Sequence, residues 1–209
     1  SVATNAQTGI TSSGNGTLIN QGTISAESTG RTLTINPTNF TNTGTVAVKN
    51  GAILTLGGAW DNSAGTFSLD ANANSRLNLG GSFTTNQIGT LSRGAGGLNG
   101  QVNITGTLTN TGDTLLLDDT TGSLNLAGGN IVGGVIDNAP ASASKLNITA
   151  DSTLSGGVTL ASNLSVGSAS SNVGLAISGG LTLDHAAGEA LTAFNGDNGF
   201  TTTNALTFN

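Results

Sequence analysis

The densest group of side chains able to do chemistry in this sequence is Asp113, Asp118 and Asp119, with Asp137 further along. Two carboxylates facing each other across a groove can act as acid and base on a glycosidic bond. Three that converge can hold calcium. The spacing tells against both. Adjacent residues such as Asp118 and Asp119 point to opposite faces of a strand, and in a turn they form a solvated corner. A polysaccharide lyase also requires a basic residue, and no Lys or Arg stands near this stretch. A solvated corner is the expected role. The alternative is a carbohydrate-active enzyme in which Asp113, Asp118, Asp119 and Asp137 share one groove.

His185 follows Asp184 and precedes Glu189. A single imidazole can serve as a general base, but a transition-metal site needs further His or Cys ligands. The chain has one His and no Cys, so His185 is expected to be an exposed residue of a less regular segment. Asn195-Gly196-Asp197-Asn198-Gly199 has the residue types of a calcium loop. Neither a repeated Gly-Gly-x-Gly-x-Asp nonapeptide nor the closing Glu of an EF-hand accompanies it, so Asp197 is read as part of a turn. Gly94-Ala95-Gly96-Gly97-Leu98-Asn99-Gly100 lacks the Lys-Ser/Thr of a phosphate loop and reads as a flexible protrusion between coils. Flat, regular Thr-x-Thr arrays bind ice. Here Thr32-Leu33-Thr34, Thr43-Gly44-Thr45 and Thr107-Leu108-Thr109 are interrupted by Asn and Ser, so an ice-binding surface ranks below both other readings. No catalytic, cofactor-binding or metal-binding residue is assigned, no cofactor is expected, and the chain is read as a non-enzyme.

The elements that would carry these residues follow from composition and period. Charged residues are 8% of the 209 and aromatic residues 3%, against about 25% charged in an ordinary domain. Gly numbers 33, Pro 2 and Cys 0. Few prolines and low charge separate the chain from disordered sequences, and its Leu, Ile and Val fall in short alternating runs that suit thin β layers. The net charge of −6, with five Lys and Arg, leaves no basic stripe for nucleic acid. The apolar runs are only a few residues long, so no direct membrane insertion is expected. With no signal peptide in view, the chain is read as a segment of something longer.

One phrase recurs: a polar residue, Gly-Thr, then an apolar residue. It appears as Asn20-Gln21-Gly22-Thr23-Ile24 and Asn42-Thr43-Gly44-Thr45-Val46, then more loosely from Asn62, Asn86 and Asn110, in steps of 20–24 residues. A second phrase lies between the copies, as in Leu54-Thr55-Leu56-Gly57-Gly58-Ala59-Trp60 and Leu77-Asn78-Leu79-Gly80-Gly81-Ser82-Phe83. The repeats are more regular over residues 16–130 and looser over 131–209, where Gly133-Gly134, Gly156-Gly157 and Gly179-Gly180 mark the turns. A period in this range is that of a solenoid. One unit cannot bury its thin apolar row, whereas units stacked at about 4.8 Å build aliphatic ladders into a continuous core, with Asn ladders at the corners. The prediction is an all-β parallel β-helix spanning 1–209 with two or three short strands per coil. At about 22 residues each, that makes about nine coils and a length of roughly 45 Å. Phe40, Trp60, Phe67 and Phe83 are expected to fill the core near one corner.

The phrases Asn-Thr-Gly-Thr-Val (42–46) and Leu-Thr-Leu-Gly-Gly-Ala-Trp (54–60) resemble the repeats of filamentous haemagglutinin-like proteins and autotransporter passengers. These are large secreted bacterial adhesins built on right-handed parallel β-helices. The resemblance covers residues 16–130 clearly and the rest loosely. The conserved secretion domain of such proteins has no match here, so no functional residue is carried over. The resemblance implies export to the outer cell surface or beyond. It also implies service as a rigid shaft, an adhesin for glycans or neighbouring cells, or a fibre assembled end to end or side by side from copies of itself.

Overall fold

The computed structural model describes residues 8–11, 16–94, 100–167, 173–184, 191–192, 200–202 and 206–208, and side chains within 16–94, 100–167 and 173–184. The chain is 55% strand and 3% helix, coiled as a β-solenoid of about 23 residues per turn. Nine coils were expected, and among the described residues the two units together carry nine strands along the first wall and nine along the second. Each turn lays down three short strands. Contacts divide the chain into two compact units, Ser1–Gly106 and Thr107–Asn209.

In the first unit three parallel sheets form the walls. One contains Thr8–Thr11, Thr32–Asn36, Ile53–Leu56, Arg76–Leu79 and Gln101–Ile104. The second contains Thr17–Asn20, Asn39–Asn42, Ala59–Asp61 and Ser82–Thr84, and the third Thr23–Ala26, Thr45–Val48, Thr66–Leu69 and Thr90–Arg93. Strand pairing is in register, so alternation in sequence becomes columns in space. On the first sheet Leu33, Leu54, Leu77 and Val102 stack in one inward column and Ile35, Leu56, Leu79 and Ile104 in the next. All eight are buried, and each such side chain withdrawn from water contributes about 1.5–3 kcal/mol.

The second sheet takes the bulk. Phe40 lies in register with Trp60, and Trp60 stacks on Phe83 with centroids 4.5 Å apart. Phe67 enters from the third sheet and meets Trp60 edge-on at 5.7 Å. All four rings are buried, as core fillers. The indole nitrogen of Trp60 donates to the Gly80 carbonyl at 2.8 Å, which satisfies the one polar atom the ring brings into the core.

The corner between the second and third sheets holds an internal amide ladder. Asn20 Nδ2 donates to Asn42 Oδ1 at 2.6 Å, and Asn42 Nδ2 donates to Asn62 Oδ1 at 2.5 Å. All three side chains are buried. The next marker in the sequence, Asn86, does not join them; it is exposed and lies in a helical turn, Thr85–Ile88. The extra residues of this coil loop outward as that turn, with the Thr84 N–H donating to Gln87 Oε1 at 2.8 Å. Asn62 Nδ2 donates instead to the Ile88 carbonyl at 2.6 Å. Gly89 closes the turn at φ 63°, where a Cβ would collide with the Asn62 carbonyl oxygen.

In the second unit the first sheet runs Leu124–Ala127, Leu146–Ala150, Leu164–Val166, Leu191–Thr192. The second has Thr107–Thr109, Asn130–Val132, Ser152–Ser155, Leu175–Ser178 and Phe200–Thr202. The third has Thr114–Leu117, Val135–Asn138, Val158–Leu160, Leu181–Leu183 and Leu206–Phe208. Leu108, Ile131, Leu154 and Ile177 form an inward column of aliphatic residues in place of the aromatic one. The corner differs too. Asn110 is buried and donates to the Val135 carbonyl at 2.8 Å, but Gly133-Gly134 and Gly156-Gly157, all at positive φ, turn the coils that follow. A Cβ at Gly134 would strike the Asn110 carbonyl oxygen, so the tight corner requires glycine there.

Replacing Asn42 by Ala strands a buried acceptor on Asn62, while Asn20 Nδ2 keeps the Thr45 and Gly22 carbonyls at 3.1 and 3.3 Å. We expect a loss of about 1–3 kcal/mol, one such penalty, with the fold retained. Urea unfolding of the two proteins, followed by the fluorescence of the single tryptophan, measures it. A change below ~0.5 kcal/mol would show that the ladder does not stabilise the corner.

Candidate functional site

Of the four candidate aspartates, Asp113 stands apart from Asp118 and Asp119. Asp113 is exposed at the start of Thr114–Leu117, its N–H bonded to the Asn110 carbonyl at 2.9 Å. Asp118 and Asp119 lie beyond the far end of the same strand. At about 3.3 Å per residue the strand holds Asp113 roughly 16 Å from Asp118, well outside the ~5–9.5 Å span of a glycosidase pair. Asp137 sits mid-strand in register with the exposed Leu116, and its Oδ1 accepts the N–H of Asn138 at 2.7 Å.

Asp118 is committed to its own turn. Its Oδ1 accepts the N–H groups of Thr121 at 2.6 Å and Thr120 at 2.9 Å. The Thr121 N–H is the chief reason its carboxyl lies below the usual aspartate range. Asp119 accepts the Ser142 hydroxyl of the next coil at 2.9 Å. Both carboxylates thus bond within the corner, and Asp119 also ties two coils together.

Asp184 is exposed, with its N–H on the Leu160 carbonyl at 2.9 Å. His185, Glu189 and Asp197 lie outside the described residues, as do residues 95–99 of the glycine-rich stretch. Threonines gather in single file: Thr23, Thr45, Thr66 and Thr90 are in register along the third sheet of the first unit. Thr32 is followed by Ile53, and Thr107 and Thr109 by Asn130 and Val132, so the Thr-x-Thr pairs are not propagated.

The outward face of the first sheet carries a ladder of its own. In the first unit Asn103 Nδ2 donates to Asn78 Oδ1 at 2.8 Å, and Asn78 Nδ2 donates to Thr55 Oγ1 at 3.1 Å. In the second unit Asn147 Nδ2 donates to Asn125 Oδ1 at 3.1 Å. These side chains are half-buried, forming shallow, neutral strips of amide and hydroxyl groups.

Sequence reasoning missed a second polar corner, between the third and first sheets of the first unit. Glu27, Lys49 and Asp70 follow the last residues of successive strands in register. Lys49 Nζ lies 3.1 Å from Glu27 Oε1, and Glu27 also accepts the Ser25 hydroxyl at 2.6 Å, the larger cause of its lowered pKa. Burial works to raise the Asp70 pKa, but hydrogen bonds from Ser75, Asn50 and Asn72 outweigh it and leave the carboxyl lowered. The Asp-x-Asn-x-Asn spacing at 70–74 was the available signal. These oxygens turn inward: the Asn72 N–H donates to Asp70 Oδ1 and the Asn74 N–H to Asn72 Oδ1, at 3.2 and 2.9 Å. Among the described residues no three of His, Cys, Asp or Glu gather as metal ligands, and no helix is long and apolar enough to cross a membrane.

Arg93 is another surprise. It occupies the inward position after Leu69 on the third sheet, its Nη2 donating to the Gly100 carbonyl, and burial lowers its pKa.

The Asp118 turn has a pH signature. Its folded pKa lies below the unfolded value of about 3.9, so its stabilisation is complete above that value and lost as pH falls through the folded one. Melting curves taken from about pH 5 down to about pH 2 should fall less steeply for Asp118→Asn than for the parent. Equal slopes would mean the turn does not hold the ionised form. Comparison of the chain with protein-family models, curated proteins and solved structures returned no match.

Proposed function

We propose that the chain is a structural and adhesive β-solenoid of a bacterial cell-surface or secreted protein, displayed outside the cell. The observation that carries this reading is the chemistry of the outward faces. The Asn78–Asn103 and Asn125–Asn147 strips repeat neutral donors and acceptors at the spacing of the strands, about 4.8 Å, with Arg76 and Lys145 as the charges beside them on the same face. Such a surface suits many weak hydrogen bonds to a glycan or to another rod of the same kind. The interior supports a mechanical role: continuous aliphatic columns and buried amide bonds between turns make each coil depend on its neighbours. Shaft, adhesin and self-assembling fibre are forms of one reading, distinguished by what the outward faces meet.

The test is incubation of the purified chain with a panel of polysaccharides and glycans, reading bound protein and released sugar ends together. Binding without release is the expected result. Release of sugar ends would overturn the reading and point to the aspartates. Light scattering over a concentration series separates a fibre, which grows, from a shaft, which stays monomeric.

A further inference from the structure

We propose that Asn50 is a modification site held shut by the fold: the Asn50-Gly51 peptide is a deamidation site whose attacking nitrogen is withheld by the Asp70–Ser75 pair of the following turn. Asn-Gly is the dipeptide most open to this chemistry, because glycine has no Cβ to hinder approach. The Gly51 nitrogen loses its proton to water and attacks Asn50 Cγ. A new N–Cγ bond closes a five-membered succinimide, and Nδ2 leaves with a proton as ammonia. Water then opens either carbonyl, giving aspartate or isoaspartate. Overall one amide and water become one carboxylic acid and ammonia.

Asn50 is exposed on the corner and adopts φ 57°, with Gly51 at φ 74°. Water reaches the side chain, so exposure does not protect it. The nitrogen is protected. The Gly51 N–H donates to Ser75 Oγ at 3.0 Å, and that hydroxyl donates to Asp70 Oδ1 at 2.6 Å. Ser75 is fully buried. The other carboxylate oxygen, Asp70 Oδ2, accepts the Asn50 N–H at 2.6 Å. Removing the Gly51 proton would break the first of these bonds and create an anion facing a hydroxyl already oriented by a carboxylate. Like charge at that range opposes ionisation.

The rest of the dipeptide is held as well. The Gly51 carbonyl accepts the Gly30 N–H at 3.0 Å, and the Asn50 carbonyl accepts the Thr29 hydroxyl at 2.8 Å. Asn50 Nδ2 reaches back to the Glu27 carbonyl at 3.4 Å. Closing the ring requires the side chain to leave that carbonyl and turn toward Gly51. The product would add a carboxylate beside Asp70 and near Glu27. Isoaspartate would also insert a methylene into a backbone pinned to the turns on either side.

The experiment incubates the folded protein, Ser75→Ala and Asp70→Asn at mildly alkaline pH, and the parent chain unfolded in urea, then maps aspartate and isoaspartate by peptide mass spectrometry. Asn15-Gly16, Asn99-Gly100, Asn195-Gly196 and Asn198-Gly199 serve as clocks within the same molecule. Asn50 should stay intact in the folded parent and convert when unfolded. Folded Ser75→Ala should convert at Asn50 about fivefold faster or more, the factor one ordinary hydrogen bond commands, with its clocks unchanged. Asp70→Asn keeps the hydroxyl and removes the charge, and should convert at an intermediate rate, so it carries the test if Ser75→Ala does not fold. Conversion of Asn50 as fast in the folded parent as in urea, or at the parent's rate in either folded variant, overturns the proposal.

Discussion

Everything in this protein depends on like lying over like. Parallel strands in register place each residue directly on its counterpart one turn away, at about 4.8 Å. The backbone bonds between turns are met wherever the coil repeats, as in the run from Thr45 N–H to the Gly22 carbonyl and from Thr66 N–H to the Gly44 carbonyl, at 2.8 and 2.9 Å. Side chains must then be compatible with two neighbours as well as with the interior. Aliphatic columns satisfy this on the first sheet of each unit. The aromatic column satisfies it by offset stacking, with one edge contact from Phe67.

The corners carry the variation that the walls cannot. One residue separates Asn42 from Gly44, and two separate Asn62 from Gly65. In the next turn the extra length is gathered into Thr85–Ile88. The registered third strand resumes at Thr90 in spite of it, because Asn62 exchanges a side-chain acceptor for the Ile88 carbonyl. In the second unit glycines with positive φ take over the same duty. The aspartates belong to this economy of turns. Asp70 and Asp118 use their charge to hold backbone N–H groups in place.

Much of this was legible in the sequence. The Leu-x-Leu and Leu-x-Ile alternation gave the inward columns, since a period of two needs no tertiary information to assign a face. The Asn20, Asn42 and Asn62 markers gave the ladder, and the four core aromatics were correctly taken as filling. Asn86 misled, because register is set by the preceding strand: Phe83 follows Trp60, which puts Thr85 in the place of Asn62. A spacing count has no access to that offset. The Glu27–Lys49–Asp70 corner was overlooked for a related reason. Its members lie 20 or more residues apart and become neighbours only once the coil closes. Arg93 broke the pattern outright, a charged residue at a position that alternation assigns to the core.

The amide ladder of the first unit has a direction. Every bond from Asn20 through Asn42 to Asn62, and on to the Ile88 carbonyl, donates the same way. The dipoles of the amides therefore add, and each polarises the next. Such a column has a head and a tail, as a magnet has poles. At the Asn20 end it presents an oxygen whose hydrogen bond comes from the Gly22 N–H at 3.2 Å, with a second lone pair to spare. A further coil stacking there would have to bring a donor, and one arriving upside down would bring the wrong group. The chemistry of this buried column thus tells its own two ends apart.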